Sequence, residues 1–332
     1  MGPRKILVVG ATGKQGSAFI RAAASNETES DGFRLIALTR DPKSPAARRL
    51  AAAGANVGLA VADLDGPASV RRVFDDARAV PGGGIWGVFF ALAFPGLGAD
   101  ASGEEAHGKL IIDLASEYGV QHLIYSSSAR GHESRDETAT LSHLAKVNIE
   151  KHIQAKQNLR WTILQPVFFM ENFEGTIGRI TFSVVRVGVK ADTKIQLTTV
   201  DDIGNIAFAV MSSPEVYAGQ VIVIVSDILT IKGIEDAYAR GTGRAMPAIP
   251  DLLARGVTAM NKGTRTVAQI LENMNADRIT YDQDWEARVA RCREIYPGMH
   301  TFEAWAKEHD PTAEQAAGWN GVSFSRLIRG NL

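Results

Sequence analysis

Three glycines set three residues apart, Gly10, Gly13 and Gly16 in VVGATGKQGS, are the first residues whose type and spacing suit a specific chemistry. Glycine accepts the backbone angles of a tight turn and lets the main chain approach a phosphate with no Cβ in the way. At the head of a helix such a turn also offers free N–H groups and the positive end of the helix dipole, which together bind a pyrophosphate. The stretch Gly10, Ala11, Thr12, Gly13, Lys14, Gln15 and Gly16 is therefore a candidate dinucleotide cradle, in a G-x-x-G-x-x-G spacing and not the commoner G-x-G-x-x-G. A second pair, Thr39 and Arg40, ends the apolar run RLIALTR. An acidic residue there accepts hydrogen bonds from a ribose 2′-hydroxyl, whereas an arginine favours a 2′-phosphate, so Arg40 points to NADP. Two other readings stay open. A one-residue shift of register turns Asp41 toward the ribose, and an arginine at a strand end is sometimes only a solvated charge.

These groups work together only if strands and helices alternate around them. Residues 5–10, 34–40, 56–64, 87–94 and 122–128 are short β-rich runs, and the segments between them carry helical periodicity and good helix formers. Such alternation predicts a parallel, doubly wound α/β sheet with helices on both faces. A helix over about 139–157 then leads to a sixth strand at 158–166, and QVIVIVSD at 220–227 reads as one more strand. Residues 247–310 read as helices separated by Pro and Gly. In this frame Asp63 and Leu64, ending the third strand, sit beside the adenine, while Ala91, Leu92 and Ala93, ending the fourth, pass under the pyrophosphate and nicotinamide ribose. The organisation expected is a dinucleotide-binding domain over 1–166 and a smaller α+β lobe over 167–332, with the chain crossing back around 195–230.

Composition limits the partners. The 332 residues are 45% hydrophobic with a net charge of −1, which gives no basic footprint for nucleic acid or anionic membrane. No apolar stretch reaches the length of a membrane span. A single cysteine, Cys292, excludes an intramolecular disulfide framework, and the seven histidines show no metal-ligand spacing. The expected setting is cytoplasmic or nuclear, for a monomer or homodimer that takes a small-molecule substrate or a regulatory protein partner.

GATGKQG, the TR after the second strand, YSSSA at 125–129, QPVFFMENF at 165–173 and VDDIG at 200–204 together make the chain resemble the NmrA-like family, atypical short-chain dehydrogenase/reductases. The resemblance runs clearly over about 5–235 and more loosely to TFEAWAKEH. It implies a Rossmann domain, a preference for NADP(H), and a smaller lobe over the nicotinamide end. It further implies that the backbone of the FFMENF segment contacts the cofactor there, with Phe169, Glu171 and Asn172 as the residues concerned. The aromatic residues of that segment also suit packing in a core. In VDDIG, Asp201 or Asp202 is expected to cap a helix beginning near Ile203.

The family includes both reductases and NADP-sensing regulators, so competence for chemistry rests on individual residues. Short-chain dehydrogenases pair a serine with a tyrosine four residues before a lysine; the lysine holds the nicotinamide ribose and lowers the phenol pKa. In TLSHLAKVNIEKH the matching lysine is Lys146, but Ser142 stands where the tyrosine belongs. His143, on the same helical face as Lys146, and Ser127 or Ser128 are the candidates to handle a proton or a substrate oxygen. Each also has a plain structural use, as a packed ring, a turn former or a surface lysine. Two functions follow: an NADPH-dependent oxidoreductase on a small hydrophobic or aromatic metabolite, or a redox sensor acting through a protein partner. Cofactor-assisted isomerisation is a third.

Overall fold

The computed structural model describes residues 3–25, 32–80, 83–96, 99–281 and 285–309. Its strands are β1 (Arg4–Val9), β2 (Phe33–Thr39), β3 (Val57–Val61), β4 (Ile85–Phe90), β5 (His122–Ser126), β6 (Trp161–Pro166), β7 (Phe168–Phe169), β8 (Ile195–Thr198), β9 (Gln220–Ile224) and β10 (Asp227–Leu229). Seven of them form one sheet in the order β3-β2-β1-β4-β5-β6-β9, and every pairing is parallel. This is the doubly wound Rossmann arrangement that the alternating sequence predicts. The run at 220–227 supplies the outer strand, paired with β6 from Thr162↔Gln220 to Pro166↔Ile224.

Both faces of the sheet are covered, which is why its strands are apolar almost throughout. On one side lie α1 (Lys14–Ser25) and α7 (Val200–Ser212); on the other lie α3 (Pro67–Ala79), α4 (Ser102–Glu117) and α5 (Leu141–Gln154). The period of two along β1 divides its residues between them. Ile6 and Val8 join Phe19, Ile20 and Ile206 in one core, and Leu7 and Val9 join Phe74, Ile111 and Ile149 in the other. Gly204 of α7 lets two helix backbones meet, since a Cβ there would lie 2.5 Å from the carbonyl carbon of Ala18 in α1. The remaining short helix of this half, α2 (Pro45–Ala51), is capped by Ser44, whose hydroxyl accepts from the Ala47 N–H at 3.3 Å.

A smaller lobe carries β7, β8 and β10 as a three-stranded sheet, with α6 (Gly175–Gly188), α9 (Ile231–Thr242), α10 (Asp251–Met260), α11 (Lys262–Tyr281) and α13 (Phe302–Glu308) around it. Its core gathers Phe173, Phe182, Leu197, Tyr238, Phe302 and Trp305. Between the two halves run the short α8 (Pro214–Tyr217), which leads into β9, and α12 (Trp285–Ile295), which sends Cys292 and Ile295 into the core under β9 and α7. Residues 310–332, the end of the expected second lobe, lie outside the described residues.

The helix after β8 corrects one expectation. It starts at Val200, and its cap is Thr199, whose hydroxyl accepts from the Asp202 N–H at 3.0 Å. Asp201 instead binds Arg21 at 2.5 Å, and Asp202 accepts from Ser226 at 2.6 Å and pairs with His300 at 2.7 Å. Among the described residues no helix is long and apolar enough to cross a membrane.

Candidate functional site

Because the strands are parallel, all their carboxyl ends share one edge, and the order 3-2-1-4-5-6 opens a crevice there between β1 and β4. The glycine turn occupies that crevice. Gly10 has φ +76°, and a Cβ on it would lie 2.1 Å from the Ala91 carbonyl oxygen. The chain closes on itself through the Gly13 N–H, which donates to the Gly10 carbonyl at 2.9 Å. Gly16 packs beneath, where a Cβ would stand 2.3 Å from the same oxygen. Ala11 is buried, Thr12 and Gly13 are exposed, and α1 begins at Lys14, so the open side of the turn presents a helix N-terminus. Gln15 is anchored across the crevice by the Ser126 hydroxyl at 2.5 Å.

The ends of the neighbouring strands surround this turn. Thr39 is buried and donates to the Asp41 carbonyl at 3.1 Å, while the Asp41 carboxylate accepts from the Lys43 N–H at 2.8 Å. Asp41 is thereby used within its own loop. Arg40 is exposed and makes no hydrogen bond or ion pair with the described residues. Asp63 forms the turn before α3, its carbonyl accepting from the Gly66 N–H and the Ser69 hydroxyl, both at 3.0 Å. Leu64 packs against the core below. Of the residues after β4, Ala91 is buried against Gly10, Leu92 is half-buried, and Ala93 is exposed.

On the far side of the crevice, the three serines after β5 diverge. Ser127 is buried and donates to Glu150 of α5, whose carboxylate also takes both ends of the Arg130 guanidinium at 2.8 Å and the Gln165 amide at 3.2 Å. Its hydroxyl thus belongs to an internal network. The Ser128 hydroxyl is enclosed and has no hydrogen-bond partner among the described residues. Lys146 is held by Glu104 of α4, which accepts from the Ser142 hydroxyl as well, at 2.7 Å. Glu104 is 1% and Lys146 11% exposed at the side chain, so this is a buried ion pair. His143, half-buried between them and Arg130, makes no side-chain hydrogen bond with the described residues. Burial first, and then the charges of Arg130 and Lys146, lower its pKa, which leaves a neutral imidazole at pH 7.

The segment after β6 closes the crevice from the lobe side. Phe169 in β7 packs against the sheet core, Asn172 is half-buried, and Glu171 is 6% exposed. Glu171 accepts from the Val200 N–H at 2.8 Å, and burial pushes its carboxyl up to about 7 despite that bond and the nearby Lys14. Lys14 reaches across from the glycine turn to Glu174 at 3.6 Å. The described residues contain no cluster of His, Cys, Asp and Glu able to hold a metal.

Nothing in the sequence marks Glu104 or Glu150, because their partners Lys146 and Ser127 lie 42 and 23 residues away. Glu104 reads as an ordinary first-turn charge of its helix, and Glu150 as one more polar residue toward the end of its own. Only the sheet topology, which lays α4 beside α5, shows that they anchor Lys146 and Ser127.

Comparison with known proteins agrees with this geometry. The NmrA-like family model matches residues 3–306. The NmrA-like family domain-containing oxidoreductase ptmS of Penicillium ochrochloron is 32% identical over 273 residues, which cover 74% of this chain and 77% of that protein. Among solved structures, the negative transcriptional regulator NmrA in complex with NADP superposes with a TM-score of 0.63 at 18% identity, covering 93% of this chain and 95% of that one. The Citrobacter sp. triphenylmethane reductase complexed with NADP(H) gives 0.65 at 17% identity, covering 91% and 99%. By sequence and by fold, the chain belongs to the NmrA-like family.

Proposed function

We propose that this protein binds NADP(H) at the crevice between β1 and β4 and is an NADPH-dependent oxidoreductase for a small hydrophobic or aromatic molecule. The observation that carries this reading is the pairing, at one sheet edge, of a turn that only glycine can form with an arginine that has no partner among the described residues. The cradle formed by Gly10 and Gly16 leaves backbone room where a side chain would fill it, and the exposed Arg40 stands where a 2′-phosphate is read. A relative that is an oxidoreductase and neighbours solved with NADP or NADP(H) support it.

When bound, a reduced nicotinamide supplies the hydride. The chain's own part is to hold, orient and protonate. Gln15, fixed by Ser126, and Lys146, fixed by Glu104, flank the crevice, and each retains donors for a ligand. Ser128 offers an enclosed hydroxyl to a substrate oxygen, and His143 is a neutral imidazole able to exchange a proton.

One observation favours the second reading, a redox sensor working through a protein partner. Ser142, at the place of the usual tyrosine, is turned into the Glu104 ion pair and away from chemistry. Calorimetric titration with NADPH, NADP+, NADH and NAD+, followed by a screen for NADPH oxidation with apolar carbonyl and enone compounds, separates the two. Preference for NADPH with turnover is the expected result. Discrimination of redox state with no turnover would favour the sensor.

A further inference from the structure

Glu171 and Glu174 face one ammonium. Lys14 Nζ lies 3.6 Å from Glu174 Oε2, and the same lysine is the cation acting on Glu171. From α7, the group that meets Glu171 is the Val200 N–H at 2.8 Å. The two aspartates that follow Val200 are turned elsewhere, Asp201 to Arg21 and Asp202 to Ser226 and His300. Lys14 from α1, Val200 from α7 and Glu174 from its own segment are thus among the groups that act on a carboxyl that is 6% exposed. Burial is the largest cause that brings the Glu171 carboxyl up to about 7; the Val200 N–H and Lys14 oppose it, and Glu174 adds the smallest upward push.

Lys14 also stands in the glycine turn, at the first position of α1, where a phosphate competes for its ammonium. We propose that dinucleotide binding draws a proton from solvent onto Glu171, making this carboxyl the group that couples cofactor affinity to pH. The inference rests on the dinucleotide reading given above. An arriving pyrophosphate adds negative charge, engages Lys14 and covers the crevice, and each of these favours the neutral acid over the carboxylate. The proton is carried on Oε2 while Oε1 continues to accept from Val200. No covalent step is involved, only one O–H bond formed at the expense of the buffer. A carboxyl whose pKa rises on binding strengthens binding at low pH and weakens it as pH climbs above neutrality, at most about tenfold per pH unit.

The test is calorimetric titration of NADPH at pH 7.5 in two buffers of different ionisation enthalpy, with the native chain and with Glu171→Gln, which keeps an acceptor for Val200. The cofactor's own 2′-phosphate exchanges protons near pH 6, about equally in both proteins, so the difference between them isolates Glu171. The native protein is expected to take up a sizeable fraction of a proton more than the variant, and its affinity to fall severalfold more from pH 7 to 8. Equal proton counts overturn the inference and leave the cofactor reading intact. Absence of any dinucleotide binding to the native chain removes both. Should Glu171→Gln fail to fold, infrared difference spectra of the native protein decide. A protonated-carboxyl C=O band that grows on adding NADPH and shifts in deuterium oxide supports proton uptake, and no such band refutes it.

Discussion

At the glycine turn Thr12 and Gly13 are exposed and Arg40 has no partner among the described residues, whereas around α5 the hydroxyls of Ser127 and Ser142 and the ammonium of Lys146 are each held by a buried carboxylate. One side of the crevice leaves its donors for a ligand to complete. The other has already satisfied them from within. The contrast is one of shape on the glycine side, where the backbone leaves room, and of charge balance on the other, where each hydroxyl or ammonium meets a carboxylate. A reaction there would draw on Ser128 and His143, whose side chains make no hydrogen bond with the described residues, and on the donors that Lys146 keeps beyond its bond to Glu104.

The strongest way to break this comparison is to fill the open side. Gly10→Val places carbon where the Ala91 carbonyl stands, at a backbone angle that β-branched residues avoid. Dinucleotide affinity is expected to fall at least about a hundredfold, or roughly 2.7 kcal/mol, as read by calorimetry. Retained binding would show that the turn is not the cradle. Next is the closed side, where Glu104→Leu leaves Lys146 buried and unpaired. That change is expected to cost about 3–5 kcal/mol of stability, visible as a lower urea midpoint, and Glu104→Leu with Lys146→Met should restore most of it. A negligible loss in the single variant would mean that the pair is solvated and the closed side no more committed than the open one. The smallest effect belongs to Arg40→Ala. NADPH affinity should drop by about ten- to fiftyfold while NADH affinity holds, the loss of one charge-assisted contact. Equal losses for both cofactors would return Arg40 to the status of a solvated charge.

Much of the geometry on the glycine side of the crevice was legible in the sequence because it is local. Gly10, Gly13 and Gly16 lie on one turn, Arg40 follows a strand with clear apolar character, and each strand of the large sheet is long enough to show itself. The side lined by α5 was legible only in part. Lys146 and His143 announce themselves by spacing on one helix, but the carboxylates that decide what they can do come from other elements, and no periodicity links Glu104 to Lys146. Separating Ser127 from Ser128 likewise needed the fold, since the Ser127 hydroxyl meets Glu150 while that of Ser128 has no partner among the described residues. The small sheet was missed for a simpler reason, since β7 and β10, of two and three residues, are too short to carry an alternation. In TTVDDIG three adjacent side chains suit a helix cap, and the sequence could not rank Thr199 above the aspartates.

The path of the chain between its two halves has a further consequence. It leaves the large sheet after β6, returns for α7 and β9, departs at β10, comes back with α12 and leaves once more for α13. The lobe is thus interlaced with the sheet, not appended to it. A recombination event with one junction cannot exchange the lobe for that of a relative, because part of each core would be inherited from the wrong parent.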